Sequence, residues 1–315
     1  MAARGLVFRE KRNIMEDKEK TGKEIIYREF IEQETEEAKA AGDTGYMARV
    51  LVKATLPHSN PGNVEKWNRN NGYFGLNIQS GLNMKGQAVG LPYGVYPRLI
   101  LSWMTTEAVR TKQPTLILGN SLSAFMRKLD IDVTGGEKGN IRRLKDQMGR
   151  LCACHISCVY EDKDTGHSGI INVNIADEAD YWWNPKSPEQ ISMFNSTIEL
   201  NNKFFKEIIK RPIPLDMNIL KQIRRSPMEI DLYDWLTYRM NHVKDKTPIR
   251  WEALQLQFGA DYKNLFHFKM KFRQHLHAVK LVYPGANFDD MDDKYFFLLP
   301  GTPSVPPRKK VFLLS

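Results

Sequence analysis

Apolar side chains recur at helical spacing between residues 95 and 110. Leu99, Ile100, Trp103, Met104 and Ala108 fall on one face of a helix with 3.6 residues per turn. Pro97 stands where the first turn would begin, a position that proline tolerates because its missing N–H is not needed there. The pattern predicts an amphipathic helix that ends near Arg110.

The segments after this helix predict a short strand, two helices and a hairpin. Residues 115–118 are a short apolar run, and Ser121 is a suitable N-cap for a helix through Leu129. A third helix is predicted at about 138–154. Two runs rich in β-formers, 155–160 and 169–175, flank a turn-forming segment and predict a hairpin. This order is that of a winged helix-turn-helix domain.

The same order of elements recurs further along the chain. The pattern predicts helices at 228–243, 251–258 and 263–280, an extended piece at 247–250, and a hairpin formed by 281–283 and 295–299. Trp103 precedes Thr115 by 115 − 103 = 12 residues, and Trp235 precedes Thr247 by 247 − 235 = 12 residues. A repeat at this scale indicates two similar domains in tandem.

The predicted fold class is therefore α+β and helix-rich, with two tandem winged helix-turn-helix domains at 95–176 and 196–300. The remaining segments are a charged N-terminal arm at 1–56 with a helix at 23–39, a Gly/Asn/Pro-rich linker or extended segment at 57–94, an acidic linker at 177–195 and a C-terminal tail at 301–315.

Charge is distributed unevenly over this plan. The chain of 315 residues has 46 Lys and Arg against 37 Asp and Glu, a net charge of +9. Residues 200–283 contain 16 basic and 8 acidic residues, hence +8, whereas residues 176–199 contain 1 basic and 5 acidic residues, hence −4. A basic block of domain length favours a polyanionic partner.

Other classes of protein fit the sequence poorly. No run approaches the roughly 18 apolar residues of a membrane span, and the first twenty residues lack the apolar stretch of a secretory signal. The three cysteines all lie between 152 and 158, which is too few and too close for a disulfide framework. We expect a cytoplasmic protein with no membrane contact.

The two predicted third helices expose polar faces that suit a DNA major groove. The candidate DNA-binding residues are Lys138, Asn140, Arg142, Arg143, Gln147 and Arg150 on the first, and Lys263, His267, Lys271, Arg273, Gln274 and His277 on the second. Arginine pairs with guanine, Asn and Gln pair with adenine, and Lys and His serve mainly phosphates. Phe266 and Met270 share the second face, where a thymine methyl group could cover them.

Several ordered motifs carry a family resemblance. They are 90–94 (GLPYG), 96–99 (YPRL), 105–111 (TTEAVRT), 118–123 (LGNSLS) and 135–144 (GGEKGNIRRL). Together they resemble the plasmid-encoded RepA replication initiator family. The resemblance implies two winged-helix domains that bind repeated origin sites (iterons) in double-stranded DNA, opening of the origin, recruitment of the host initiator ATPase and replicative helicase, autoregulation, and self-association as a dimer.

Catalytic readings have weaker support. Cys152, Cys154, His155 and Cys158 provide three thiols and an imidazole, enough for four zinc ligands, but one helix end running into one strand does not easily bring them onto a tetrahedral ion. The chain has no GxxxxGK[ST] motif for ATP, and His275 and His277 lie on a predicted helix, where positions i and i+2 diverge. We expect no enzyme activity and no cofactor. The alternatives are a winged-helix transcriptional repressor and, with less support, a nicking or metal-dependent nuclease.

Overall fold

A computed structural model describes residues 55–70, 74–161, 168–184, 186–210, 213–259 and 262–305. All of them belong to the compact unit Thr44–Ser315. The predicted N-terminal arm, with its helix at 23–39, lies outside the described residues except for its last two positions, and so does the end of the tail. The described residues form eight helices and antiparallel sheets, a mixed α/β fold.

The described chain begins with two strands, β1 (Lys66–Asn70) and β2 (Phe74–Gln79). Helix α1 (Val95–Thr111), strand β3 (Thr115–Gly119), helices α2 (Leu122–Lys128) and α3 (Asn140–Ala153), and the hairpin strands β4 (His155–Glu161) and β5 (Ser168–Asn174) follow. The predicted order of helix, strand, helix, helix and hairpin is confirmed, and the Ser121 hydroxyl accepts the Ala124 N–H at 3.3 Å as the expected cap.

The segment predicted as a linker or extended segment at 57–94 contributes two strands to a sheet. β1 and β2 join the hairpin in the order β1-β2-β4-β5, with every pair antiparallel. Leu76 and Ile78 are buried on one face of β2 while Gln79 is exposed. This alternation is only two apolar residues long and lies between Gly- and Asn-rich turns, so composition concealed it.

The predicted acidic linker also contains a strand. β6 (Ala176–Asp180) and β7 (Ser196–Leu200) form a second sheet with β3, in the order β3-β7-β6. The short strand after α1 therefore pairs with β7 and not with the β4–β5 hairpin. Ile198 and Leu200 of β7 are buried on one face of this sheet. Their burial stabilises the sheet in spite of the acidic side chains on β6.

The second half contains helices α4 (Asn202–Lys210), α5 (Met217–Ile223), α6 (Pro227–Met240), α7 (Trp251–Phe258) and α8 (Leu265–Val282), with strands β8 (Thr247–Arg250), β9 (Phe288–Asp289) and β10 (Tyr295–Leu298). The strands form a sheet in the order β8-β10-β9. The predicted strand at 281–283 is wrong: α8 runs to Val282, and β9 begins only at Phe288.

Aromatic side chains build the core of the second half. Trp251 meets Phe272 edge to face, with ring centroids 5.7 Å apart, and Trp235 meets Phe258 at 5.5 Å. All four rings are buried. Because such rings bury large apolar areas, they fix α8 on its inner side and leave its outer side to solvent. Within the described residues, no helix is long and apolar enough to cross a membrane.

Candidate nucleic-acid interface

Helix α3 presents an exposed basic face. Ile141, Leu144, Met148 and Leu151 are buried on its inner side, which confirms the predicted orientation of the helix. Lys138, Arg142 and Arg143 are exposed. The first turn of α3 contains no acidic residue, so nothing in that turn neutralises the arginines.

Two of the predicted DNA-binding residues on α3 are occupied within the fold. Asn140 accepts a hydrogen bond from the Tyr96 hydroxyl at 2.9 Å and donates one to the Asp132 carbonyl at 2.9 Å. Gln147 was predicted at the margin of the outward face but is only 3% exposed, and its Oε1 accepts the Tyr93 backbone N–H at 2.7 Å. Helical phase placed Gln147 near the surface because phase describes only the helix itself. It contains no information about residues 90–94, which cover Gln147 in the structure.

Arg150 is also engaged with this covering chain. Its Nε lies 3.0 Å from Asp146, its Nη1 donates to the Leu91 carbonyl at 3.3 Å, and its guanidinium lies 5.5 Å from the centroid of the Tyr93 ring. A Cβ atom placed on Gly90 would come within 2.5 Å of the Arg150 Nη1. Arg150 thus binds α3 to residues 90–93, and its guanidinium is half-buried.

Helix α8 has an exposed face that is both polar and apolar. Lys263, His267, Lys271 and Gln274 are exposed, as predicted. Phe266 is 74% exposed and Met270 is 49% exposed on the same helix. The Asn264 side chain caps the helix by accepting the His267 N–H at 2.9 Å, which fixes where this face begins. Exposed apolar groups among cations are typical of a surface that a partner covers.

Two predicted residues on α8 contact the acidic turn at 290–293, which connects β9 and β10. Arg273 donates from Nε to the Asp290 carbonyl at 2.9 Å, and its guanidinium lies 4.8 Å from the Trp251 ring centroid. The His277 Nε2 lies 3.2 Å from the Asp290 Oδ2. Asp290 is buried, so these contacts hold the turn against α8. The sequence placed this turn in a hairpin but did not show which side chains would meet it.

The enzyme-like clusters do not converge. Cys154 and Cys158 are buried, whereas His155 is exposed and meets the Asn174 Oδ1 at 3.1 Å. Burial raises the pKa of the Cys154 thiol to about 12. His275 Nδ1 lies 2.9 Å from the Glu229 carboxylate on α6, away from His277. Among the described residues, no group of three or more His, Cys, Asp or Glu side chains is placed to hold a metal ion.

Sequence reasoning missed two cations beside α3. Lys145 and Lys186 line a shallow depression of about 410 Å³ together with Arg142 and Asp146. Lys145 follows Arg142 by three residues on α3, so helical phase contained the signal for it. Nothing in the sequence indicated Lys186, which belongs to the segment between β6 and β7.

Comparisons with known proteins agree with this fold. Similar crystal structures include selenomethionine derivatives of domains 2 and 3 of RctB, with a TM-score of 0.53 and 10% identity over 83% of this chain and 100% of that chain. They also include RctB domains 2–3, with a TM-score of 0.50 and 12% identity over 80% of this chain and 96% of that chain. At such identities the likeness concerns the fold alone.

Among curated proteins, no sequence matches this chain. The profile of the family described as "Plasmid encoded RepA protein" matches residues 91–253, which is more than half of the chain and includes α1, α3 and α6. The chain therefore belongs to the plasmid-encoded RepA family.

Proposed function

We propose that this protein initiates plasmid replication by binding repeated sites (iterons) in the duplex DNA of an origin. The observation that carries the proposal is that two helices, α3 and α8, each third in the same order of elements, expose basic faces. Arg142 and Arg143 are exposed on α3, Lys271 is exposed on α8, and Lys263 is exposed just before α8. Family membership supports a role in plasmid replication.

In this proposal each half acts as a winged-helix domain. The β8-β10-β9 sheet beside α8 supports this for the second half, because the short strand before α7 pairs with the strand that ends the hairpin. The first half keeps the order of elements, although β3 pairs with β7. Each third helix enters a major groove, and the adjoining hairpin turn contacts the backbone.

Arg143 is the best candidate for reading a base in the first half, because its side chain is exposed and arginine can form a bidentate pair with guanine. On α8, Gln274 is exposed and suits adenine, while Phe266 and Met270 suit thymine methyl groups. Asn140, Gln147, Arg150, Arg273 and His277, which make contacts within the chain, support the fold around these two faces in this proposal.

The resemblance to RepA initiators adds finer functions to the proposal. They are opening of the origin duplex, recruitment of the host initiator ATPase and the replicative helicase, autoregulation, and dimer formation. We propose no catalytic step and no cofactor for the chain. The sequence-specific binding of duplex DNA comes first, because every other step depends on it.

A footprint on the DNA that flanks the gene tests the proposal. Directly repeated protected sites are expected for an initiator, whereas inverted sites would favour the alternative of a winged-helix transcriptional repressor. Incubation of supercoiled plasmid with magnesium or manganese provides the second arm. Cleavage there would replace the proposal with a nicking or metal-dependent nuclease.

A further inference from the structure

Three cations from two separate parts of the chain meet beside α3. Arg142 and Lys145 come from α3 itself, and Lys186 comes from the segment between β6 and β7. All three line one open depression, together with Gly135 and Gly136. A Cβ atom on either glycine would meet nothing within 4 Å, so the space beside both glycines is open.

The charges of the three cations are not used within the fold. Their side chains have no hydrogen-bond or ion-pair partner in the part of the chain that the structure describes. Asp146 is the one acidic residue of the depression, and its carboxylate already meets the Arg150 Nε at 3.0 Å and the Gln147 Nε2 at 3.0 Å. The depression therefore has an excess of positive charge that only an external anion can neutralise.

Two backbone N–H groups at the start of α3 are already bound within the chain. The Asn140 and Ile141 N–H groups donate to the Thr134 hydroxyl at 2.9 Å and the Thr134 carbonyl at 3.2 Å. These two donors are not available to an anion in the depression, which leaves the three cationic side chains as its main ligands. Long, exposed Lys and Arg side chains are suited to the phosphates of a DNA backbone, which they contact independently of the base sequence.

Lys186 is held in place although its segment was predicted as a linker. The Trp183 indole stacks on Phe125, with ring centroids 5.3 Å apart, and donates to the Gly119 carbonyl at 3.1 Å. The Ser123 N–H donates to the Pro188 carbonyl at 3.1 Å. These contacts anchor the chain on both sides of Lys186 to α2. Lys186 is the only Lys or Arg in residues 177–195.

We propose that Arg142, Lys145 and Lys186 form a binding site for a phosphodiester of the DNA backbone. The site rests on the proposed function and refines it, because it divides two neighbouring arginines by role. Arg142 binds the backbone together with the two lysines, and Arg143 is left to read a base. The segment between β6 and β7 is thereby part of the DNA-binding surface.

The test compares Lys186→Gln with the wild-type full-length chain by fluorescence anisotropy over a range of salt concentrations. The probes are a random-sequence duplex and a duplex that carries a footprinted site. Loss of one phosphate contact reduces the magnitude of the slope of log K against log salt by about one. It also weakens binding to both duplexes by the same factor. Lys186→Arg is expected to keep the wild-type slope, as is Lys206→Gln, which removes an exposed lysine of α4 that does not line the depression.

The outcomes separate the inference from the proposed function. A wild-type chain that binds neither duplex overturns the proposed function. A wild-type chain that binds, together with a Lys186→Gln slope equal to that of Lys206→Gln, overturns the phosphate site alone. Lysine acylation gives the last arm: protection of Lys186 by inorganic phosphate or ATP but not by duplex would show a free-phosphate site, contrary to the proposal.

Discussion

The Arg98 guanidinium and the Asp231 carboxylate form a bidentate ion pair between α1 and α6. Nε lies 2.7 Å from Oδ1, and Nη2 lies 2.7 Å from Oδ2. Arg98 also donates to the carbonyl oxygens of Gly94 at 2.7 Å and Leu56 at 2.8 Å, and His58 Nε2 lies 2.7 Å from Asp231 Oδ2. One buried network therefore joins the first half, the second half and the chain that precedes β1.

Asp231→Asn is expected to lower the free energy of unfolding by about 3–5 kcal/mol, because it leaves the buried Arg98 charge uncompensated. Urea unfolding measures the loss. Asp130→Asn is the matched control: Asp130 pairs with Arg224 at 2.9 Å, but both side chains are partly exposed, so we expect a loss of at most about 1 kcal/mol. Equal losses in the two variants would contradict a structural role for the Arg98 network.

The buried Asp234 carboxyl is expected to make the stability of the fold depend on pH. It lies one turn after Asp231 on α6, and its Oδ1 is buried without a hydrogen-bond partner among the described residues. Burial raises the pKa of the Asp234 carboxyl well above its usual 3.8, and the Asp231 charge raises it further. The folded chain therefore holds a proton that the unfolded chain releases, so this group costs stability as the pH rises from about 4 through the folded pKa.

Asp234→Asn removes that cost, because the amide has no proton to lose. The variant is expected to match the wild type below pH 4, and above pH 4 its advantage is expected to grow by about 1.4 kcal/mol for each pH unit until the pH reaches the folded pKa. Urea midpoints measured across this pH range provide the check. A stability difference that does not change with pH would count against a protonated Asp234.

Arg143 and Arg150 are expected to respond differently to truncation. Arg143→Ala removes an exposed side chain, so stability is retained while affinity for a footprinted site falls by about 1–3 kcal/mol. Arg150→Ala loses the contacts with Asp146, Leu91 and Tyr93. Its free energy of unfolding is therefore expected to fall by about 1.5–3 kcal/mol, with a lower melting temperature. Thermal unfolding and anisotropy on both variants separate the roles, and a reversed pattern would refute them.

Lys271→Ala is expected to weaken binding to all duplex sequences alike and to reduce the slope of log K against log salt by about one. The Lys271 side chain is exposed, and its Nζ donates only to Gln274 at 3.2 Å among the described residues. Lys271→Arg preserves the charge and serves as the control. Sequence-selective loss in the alanine variant would instead make Lys271 a base-reading residue.

Phe266→Ala tests the apolar part of the α8 face. Because Phe266 is 74% exposed, its removal is expected to leave the unfolding midpoint unchanged and to weaken binding to the footprinted site. Phe268→Ala removes a fully buried neighbour and is expected to cost about 3–5 kcal/mol of stability. An unchanged affinity of Phe266→Ala for the site would show that DNA does not cover this ring.

Much of the secondary structure could be predicted from local patterns. The helical spacing around Trp103 and the Ser121 cap correctly located α1 and α2, and the apolar stripes of α3 and α8 correctly oriented both helices. Propensity and periodicity act over a few residues, so a strong local pattern is enough for such elements. The strand predicted at 281–283 failed because Tyr283 continues the buried stripe of Leu276 and Val279 at helical spacing, whereas Leu281 is exposed.

Pairing between distant segments could not be predicted in this way. β1 and β2 join the β4–β5 hairpin, and β3 joins β7 across more than 70 residues of chain. The stabilisation comes from hydrogen bonds and packing that exist only after the chain has folded back. The site residues divide in the same manner, since Arg143 and Lys271 are exposed as phase predicted while Gln147 is covered by residues 90–94.

The sequence by itself determined the family, the order of helices around two basic third helices, and the basic excess of residues 200–283. Only the tertiary structure decided which of those basic and polar side chains remain free. Arg150 is held by the Leu91 carbonyl, Arg273 and His277 are held by Asp290, and Lys186 is brought beside Arg142 by a segment anchored on α2. The physical reason is that helical phase fixes the direction of a side chain, whereas its partners come from parts of the chain that are remote in sequence.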